Sequence, residues 1–296
     1  MNAHYQFTTQ YKGLHTVGDG IIPAFFWDGP QPLFFDPGVS AYGPRYRRWI
    51  ERHTHRRAPL ALLLTHSHFD HAGAAPYLQR TIANTTAWAS QRAATVFTRP
   101  TAIATIQRLN QVYEEELQAQ IGAEQVQFDQ LPVARVLADG DTIDLGEGNT
   151  LEVMATPGHT RDHLSFYFPR QQLIVTGEAV GVVEGAFMHT QFMTGYRDYL
   201  DSLERIRARM PRALAIAHNG IVAGAAVDRF LTQTHDVAVA RYCMVSRYLH
   251  EHHGDIDAVA ERITREEYDV RPDNIQKREP FRLNLAATIT CVAEEQ

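Results

Sequence analysis

Residues 60–71 read Leu60-Ala61-Leu62-Leu63-Leu64-Thr65-His66-Ser67-His68-Phe69-Asp70-His71, and this stretch decides the fold. Five apolar residues bounded by turn-type residues read as a buried strand. His66 and His68 are two apart, so on extended chain they project to the same side. Asp70 and His71 fall where the chain turns into a helix, with Ala72-Gly73-Ala74-Ala75 behind them. Imidazole and carboxylate ligands together suit zinc, iron or manganese. The bland alternative is a surface loop rich in His. Four metal-capable side chains directly behind a buried strand argue against it.

Upstream, Leu14–Val17, Ile21–Trp27 and Leu33–Phe35 read as short strands. Gly18-Asp19-Gly20 and Asp28-Gly29-Pro30 separate them as turns, and Asp36-Pro37-Gly38 ends the third. Helices are expected over Arg45–His53, near Ala72–Arg80 and from Ser90, with a strand at Thr86–Ala89. After Pro100 a longer helix follows, in which Ile103, Ile106, Leu109, Val112, Tyr113 and Leu117 keep helical spacing. The second half repeats the logic with strands at Val133–Leu137, Thr142–Leu145, Leu151–Ala155, Leu164–Phe168 and Leu173–Thr176. A helix at Tyr196–Arg209 and a strand at Ala213–Ala217 complete it. Strands followed by a helix, twice over, predict two sheets packed face to face with helices outside.

From about Ala225 the pattern is almost wholly helical, with one stripe from Val227 to Leu249, a second helix from Ile256 and a last one over about Asn274–Ala287. No Gly/Ser-rich linker precedes this segment. The expected organisation is therefore a first domain over residues 1–222 and a helical extension over 223–296, packed over the core rather than tethered.

Three further residues turn the His run into a site. His159 lies in Thr156-Pro157-Gly158-His159-Thr160, after the strand that ends at Ala155. Glu178 follows the strand Leu173–Val175, and His218 follows Ala213–Ala217. Every candidate ligand thus sits at the C-terminal end of a strand, and aligned sheets would gather them along one edge. Histidines scattered through a core for packing would show no such regularity.

Through His-x-His-x-Asp-His at 66–71, Thr-Pro-Gly-His at 156–159 and His218, the chain resembles the metallo-β-lactamase superfamily over about residues 10–220. The resemblance implies an α/β fold, an αββα sandwich here carrying a C-terminal helical extension, with a metal site, usually dinuclear, at the sheet edge. Carried over, His66, His68 and His159 would hold one divalent ion and Asp70, His71 and His218 the other, with residue 178 bridging them. Zinc, iron and manganese are the candidates. Within the superfamily the chain is most similar to the quinolone-signal-response thioesterases, by length, by the helical extension and by the stretch Tyr199–Arg205. One position departs, since the superfamily normally has Asp where this chain has Glu178. The extra methylene moves the carboxylate outward by ~1.5 Å. Metal–oxygen distances tolerate only ~0.2 Å, so the backbone or the metal spacing must adapt.

Two such ions, about 3.5–4 Å apart, lower the pKa of a shared water and polarise a carbonyl or phosphoryl oxygen. Asp70 is the expected catalytic residue, orienting that water and passing its proton to the leaving group. Metal-dependent hydrolysis of a thioester or ester of a small acyl substrate is the leading expectation. Two other classes use the same motif: sulfur oxygenation at a single iron, and a non-catalytic ligand-binding regulator, for which Glu178 is the one sequence argument. Substrate contacts are expected from His189, Phe192, Tyr196 and Tyr242, under a roof formed by the C-terminal helices. His163 reads as a supporting residue rather than a ligand.

A formal net charge of −6 with no block of Lys or Arg argues against nucleic acid as a partner. No stretch approaches the ~18 apolar residues of a membrane span. Residues 1–6 lack the basic and apolar regions of a signal peptide, so the cytoplasm is the expected location. Cys243 and Cys291 are too few for a disulfide framework and are expected to be buried thiols. The expected partner is the acyl substrate, with neither nucleic acid nor membrane, and a homodimer is compatible with this reading.

Overall fold

The computed structural model describes residues 5–18, 21–53, 60–271 and 276–296. Part of the Gly18-Asp19-Gly20 turn, and the expected helix start at Asn274, lie outside the described residues.

The first sheet has seven strands in sequence order: β1 (Gln10–Tyr11), β2 (Leu14–Val17), β3 (Ala24–Trp27), β4 (Leu33–Phe35), β5 (Leu60–Leu63), β6 (Thr85–Ser90) and β7 (Val133–Leu137). β1 to β4 form an antiparallel meander, whereas β4 to β7 are parallel. Parallel neighbours need crossovers. These are supplied by α1 (Gly43–His53), by α2 (Phe69–Ala72) with α3 (Ala75–Thr81), and by α4 (Gln91–Val96), α5 (Pro100–Glu116) and α6 (Gln118–Ile121). Pro100 begins α5, where its missing N–H costs nothing.

β8 (Thr142–Gly146), β9 (Asn149–Ala155), β10 (Leu164–Phe168), β11 (Leu173–Gly177), β14 (Ala213–Ile216) and β15 (Gly220–Ala223) build the second sheet, in the order β15-β14-β11-β10-β9-β8. Between β11 and β14 come a small hairpin, β12 (Val182–Glu184) with β13 (Phe187–His189), and α7 (Tyr196–Ala208). β9 and β11 are both antiparallel to β10, and β14 is parallel to β11. β9, β11 and β14 therefore run the same way, and their C-terminal ends meet at one edge.

The unbroken apolar run of β5 follows from burial on both faces. Leu60, Leu62 and Leu64 pack outward with Tyr46, Tyr77 and Ile106 of the helical layer, whereas Ala61 and Leu63 pack inward with Phe166 and Val175 of the second sheet. Fully burying one such large side chain contributes roughly 1.5–3 kcal/mol. On the far side, Ile174, Leu214 and Ile216 meet Leu203, Phe230 and Leu231. The result is the expected αββα sandwich.

The C-terminal region comprises α8 (Ala226–Glu251), α9 (Ile256–Ile263) running into a π-turn at Thr264–Tyr268, and α10 (Arg278–Glu294). These helices share a core with α7 through Tyr199, Val245, Leu249, Ile263 and Ile289. Cys291 is buried as expected but Cys243 is exposed. It lies off the buried stripe of α8, which runs through Val227, Phe230, Leu231, Thr234, Ala238, Val245 and Leu249. No helix among the described residues is long and apolar enough to cross a membrane.

Candidate metal centre

Each ligand candidate stands where the chain leaves a strand. His66, His68, Asp70 and His71 occupy the turn from β5 into α2, His159 follows β9, Glu178 follows β11 and His218 follows β14. The structure brings them into two groups, His66 with His68, His159 and Glu178, and Asp70 with His71 and His218, each with ligand atoms within 4.8 Å of one another. Glu178 lies between the groups. Its Oε2 is 2.6 Å from His159 Nε2, 3.5 Å from His66 Nε2 and 3.6 Å from His71 Nε2. Its Oε1 is 3.5 Å from His218 Nε2, which lies 3.6 Å from Asp70 Oδ2.

The hydrogen bonds behind the rings fix which nitrogen faces the centre. Asp36, at the end of β4, is a buried carboxylate that can only accept. It takes the Thr65 N–H at 2.8 Å, the Thr65 O–H at 2.8 Å and the His71 Nδ1–H at 3.0 Å. Since Thr65 spends its proton on Asp36, its oxygen accepts from His66 Nδ1–H at 2.9 Å. His159 and His218 donate Nδ1–H to the carbonyl oxygens of Gln191 and Ile21, both at 2.9 Å. All four rings therefore commit Nδ1 to the protein behind them and turn Nε2 inward. His66 Nε2 and His71 Nε2 are buried without a hydrogen-bond partner. Converging lone pairs and carboxylates of this kind are the donor set that a divalent cation satisfies, so the residues fit a metal centre.

Electrostatics divide the rings, with His66 and His68 lowered and His71 and His218 raised. Burial, with His71 and His68 alongside, holds His66 well below the usual imidazole range. Burial and His159 lower His68 to about 4. Burial works against the charged form of His71, yet Asp36, with Glu178 and Asp70, outweighs it and lifts the ring well above its ordinary value. Burial alone would raise Glu178, but the surrounding histidines, His159 foremost, hold it well below the carboxylate range. His163 is not a ligand. Its Nε2 accepts the Glu178 N–H at 3.1 Å while Nδ1 donates to Thr156 Oγ1 at 2.9 Å, so it anchors the backbone of Glu178. Asp36 and His218 both adopt left-handed backbone, with φ of 49° and 60°. Such strain in non-glycine residues gathers at functional sites.

A cavity of about 320 Å³ opens onto Asp70, Glu178 and His218, with Phe69, Val180, Met188, Val237, Met244 and Phe281 among its apolar walls. His189 lines it and accepts from Arg271 Nη1 at 2.8 Å. The other three expected substrate contacts, Phe192, Tyr196 and Tyr242, are not among the residues that line this cavity. Phe192 is fully buried against Tyr196 and Tyr199, and Tyr196 stacks on Tyr242 at 4.3 Å where α7 meets α8. Asp36, Tyr113, Arg241 and Arg271 were not singled out as site residues from sequence. Only Asp36 carried a signal, as a carboxylate at a strand end like every other member of the site.

A family model described as the metallo-beta-lactamase superfamily matches residues 31–218, a span that holds every candidate ligand. The chain belongs to the metallo-beta-lactamase superfamily. Superfamily members typically bind divalent metals, in keeping with the two groups described above. The chain is 26% identical over 215 residues to the metallo-beta-lactamase fold-containing protein ST1585 of Sulfurisphaera tokodaii, covering 71% of this chain and 75% of that one. It is 31% identical over 142 residues to an uncharacterized protein of Mycobacterium tuberculosis, a match covering 47% of this chain and only 55% of that relative's length. A shorter stretch of 53 residues, 18% of this chain and 20% of the other, is 43% identical to the hydroxyacylglutathione hydrolase of Hyphomonas neptunium. Among solved structures, a beta-lactamase domain protein from Burkholderia ambifaria superposes with a TM-score of 0.65 at 17% identity, covering 96% of this chain and 86% of that one. That likeness shows the fold alone.

Proposed function

We propose that this protein is a metal-dependent hydrolase that cleaves the thioester or ester of a small acyl substrate. The observation that carries the reading is the largely apolar cavity that ends on Asp70, Glu178 and His218. Its size suits a small ligand with an acyl chain. Divalent ions held by the two groups would supply water activation and polarisation of the carbonyl. The chain's own residues do the rest. Asp70 is partly exposed in the first turn of α2, placed to take the proton of the attacking water on its carboxylate. It then returns that proton to the leaving thiolate or alkoxide as the C–S or C–O bond breaks. Apolar walls hold the acyl chain and keep bulk water away. Residues 223–296 act as the substrate-selecting extension, and the cytoplasm is part of the same proposal.

The thioester is favoured over other acyl links by two likenesses. One is the resemblance to quinolone-signal-response thioesterases. The other is the short match to a hydroxyacylglutathione hydrolase, whose named substrate class is a thioester. The test is elemental analysis of protein purified without chelator, paired with a panel of acyl-thioesters, lactones and phosphodiesters and an oxygen electrode. Metal-dependent thioester or ester turnover is expected. Oxygen uptake with iron and no hydrolysis would replace this reading with sulfur oxygenation.

A further inference from the structure

Tyr113 comes from α5, outside both the metal-binding turns and the C-terminal roof, yet it lines the same cavity as Asp70, Glu178 and His218. Its helix is tied down on both sides of it. Asn110 accepts the Ser40 N–H at 2.8 Å and donates to the carbonyl oxygens of Ile106 at 2.9 Å and Phe69 at 3.4 Å. Glu114 accepts the Ser40 O–H at 2.6 Å. Phe69 immediately precedes Asp70, so these bonds register α5 against the turn that carries the site. The Tyr113 ring packs on Phe69 with centroids 6.1 Å apart, and Lys277 Nζ lies 5.9 Å from its centre.

Buried or half-buried tyrosines normally satisfy their hydroxyl on protein. Tyr5, Tyr46, Tyr248 and Tyr268 do so here, on Gln233, Ile22, Glu266 and Gln276, whereas the hydroxyl of Tyr199 is buried without a partner and lies outside the cavity lining. Among the described residues the Tyr113 hydroxyl makes no such bond. A phenol is a proton donor at neutral pH. On a pinned helix and in the wall of the cavity that reaches Asp70, Glu178 and His218, it is a donor open to an acceptor on the ligand.

We propose that Tyr113 donates this hydrogen bond to the carbonyl oxygen of the acyl substrate, and that the bond strengthens as the carbonyl is attacked and its oxygen gains charge. The proposal rests on the hydrolase reading above, and its test separates the two. Removing one donor of this kind costs about 10²–10³ in turnover. Tyr113→Phe deletes only the hydroxyl. On metal-loaded protein it should lower kcat on an acyl-thioester by about 10²-fold, with KM, metal content and melting temperature little changed. A second readout does not need turnover. A ketone analogue with CH2 in place of the thioester sulfur and ¹³C at the carbonyl should bind the wild type with its resonance moved downfield. Tyr113→Phe should reverse that shift. If Tyr113→Phe reverses the ketone's shift but the wild type hydrolyses nothing, the hydrolase reading fails and the Tyr113 assignment stands. Absence of ketone binding, an unchanged shift and rate in Tyr113→Phe, or loss of metal in that variant would each overturn the assignment.

Discussion

Replacing Asp36 by Asn exchanges one acceptor atom for a donor in the middle of a fully committed set of hydrogen bonds. In one orientation the amide oxygen keeps the Thr65 N–H, and the new NH2 group faces Thr65 Oγ1 and His71 Nδ1, which lie 2.8 and 3.0 Å from the present carboxylate oxygen. His71 must then give up its Nδ1 proton and carry it on Nε2. Thr65 must accept rather than donate, so its O–H turns toward His66 Nδ1 and that ring flips tautomer as well. The opposite amide orientation sets NH2 against the Thr65 N–H. Either way one substitution spoils a ligand in each metal group. Loss of a supporting partner typically costs 10–100-fold in metal affinity, about 1.4–2.7 kcal/mol. Competition with a chromophoric chelator should show at least that loss for both ions in Asp36→Asn, while circular dichroism shows the fold retained. Asp36→Ala is the control. It removes hydrogen bonds to a charged group worth ~1.5–3 kcal/mol each and so destabilises more, but it imposes no wrong tautomer and should bind metal better than Asn. Two ions bound by Asp36→Asn with wild-type affinity would refute the reasoning.

Glu178→Asp draws the carboxylate back by ~1.5 Å from an anchored backbone, so it should lower metal content and thioester turnover by at least tenfold on the order expected for a lost ligand partner. Unchanged metal and rate would mean that residue 178 is not a ligand. In chelated protein, the folded-state values of His66, His68 and His163 lie below the 6.5 of an ordinary histidine. The unfolded chain therefore takes up protons below pH 6.5 that these rings refuse, and stability falls by up to ~1.4 kcal/mol per pH unit per ring. His71 and His218 are raised and act with the opposite sign, favouring the fold below 6.5 and losing that contribution as pH rises through their own values. With three rings against two, the urea midpoint of chelated protein should be lower at pH 5.5 than at pH 7, and a higher one would contradict the assignment. Met244→Trp should fill the cavity and discriminate against long acyl chains by about 1–3 kcal/mol. A minimal ester should be turned over nearly as before, and an equal loss on all substrates would leave α8 a purely structural role.

The parts of the fold legible in sequence were those with one dominant cause. The apolar run of β5 is buried on both faces, so no polar residue interrupts it. Ligands at strand ends need only a strand and a turn, and both have strong local signals. The hairpin of β12 and β13, three residues each, is too short to show a period. The pocket failed for a different reason. A helical stripe says that one face is buried but not against which neighbour, so Tyr196 and Tyr242 were expected at the cavity although they stack on each other. Asp36 was hidden by a correct local reading. Asp-Pro-Gly does make a turn here, with φ of 49° at Asp36 and 46° at Gly38. Its decisive partners are 29 and 35 residues away, and nothing local points to them.

The same long-range ties bear on why Glu rather than Asp stands at 178. Strand β11 pairs with β14 through a register shift between Val175 and Gly177, so the chain bulges just before the carboxylate. Gly177 takes φ of 52°, and a Cβ there would come within 2.7 Å of His163 Nε2 and 2.8 Å of Thr65 Oγ1. The backbone is therefore already pressed against the residues that orient His66 and anchor Glu178. It has no room to carry a shorter side chain further in. From this fixed point the longer side chain places Oε2 at 2.6 Å from His159 and 3.6 Å from His71, and Oε1 at 3.5 Å from His218, so the carboxylate reaches both groups. A carboxylate shorter by one methylene could not span both from the same anchor, so bulge, glycine and glutamate form one unit, and a change to any of them must be felt at both groups.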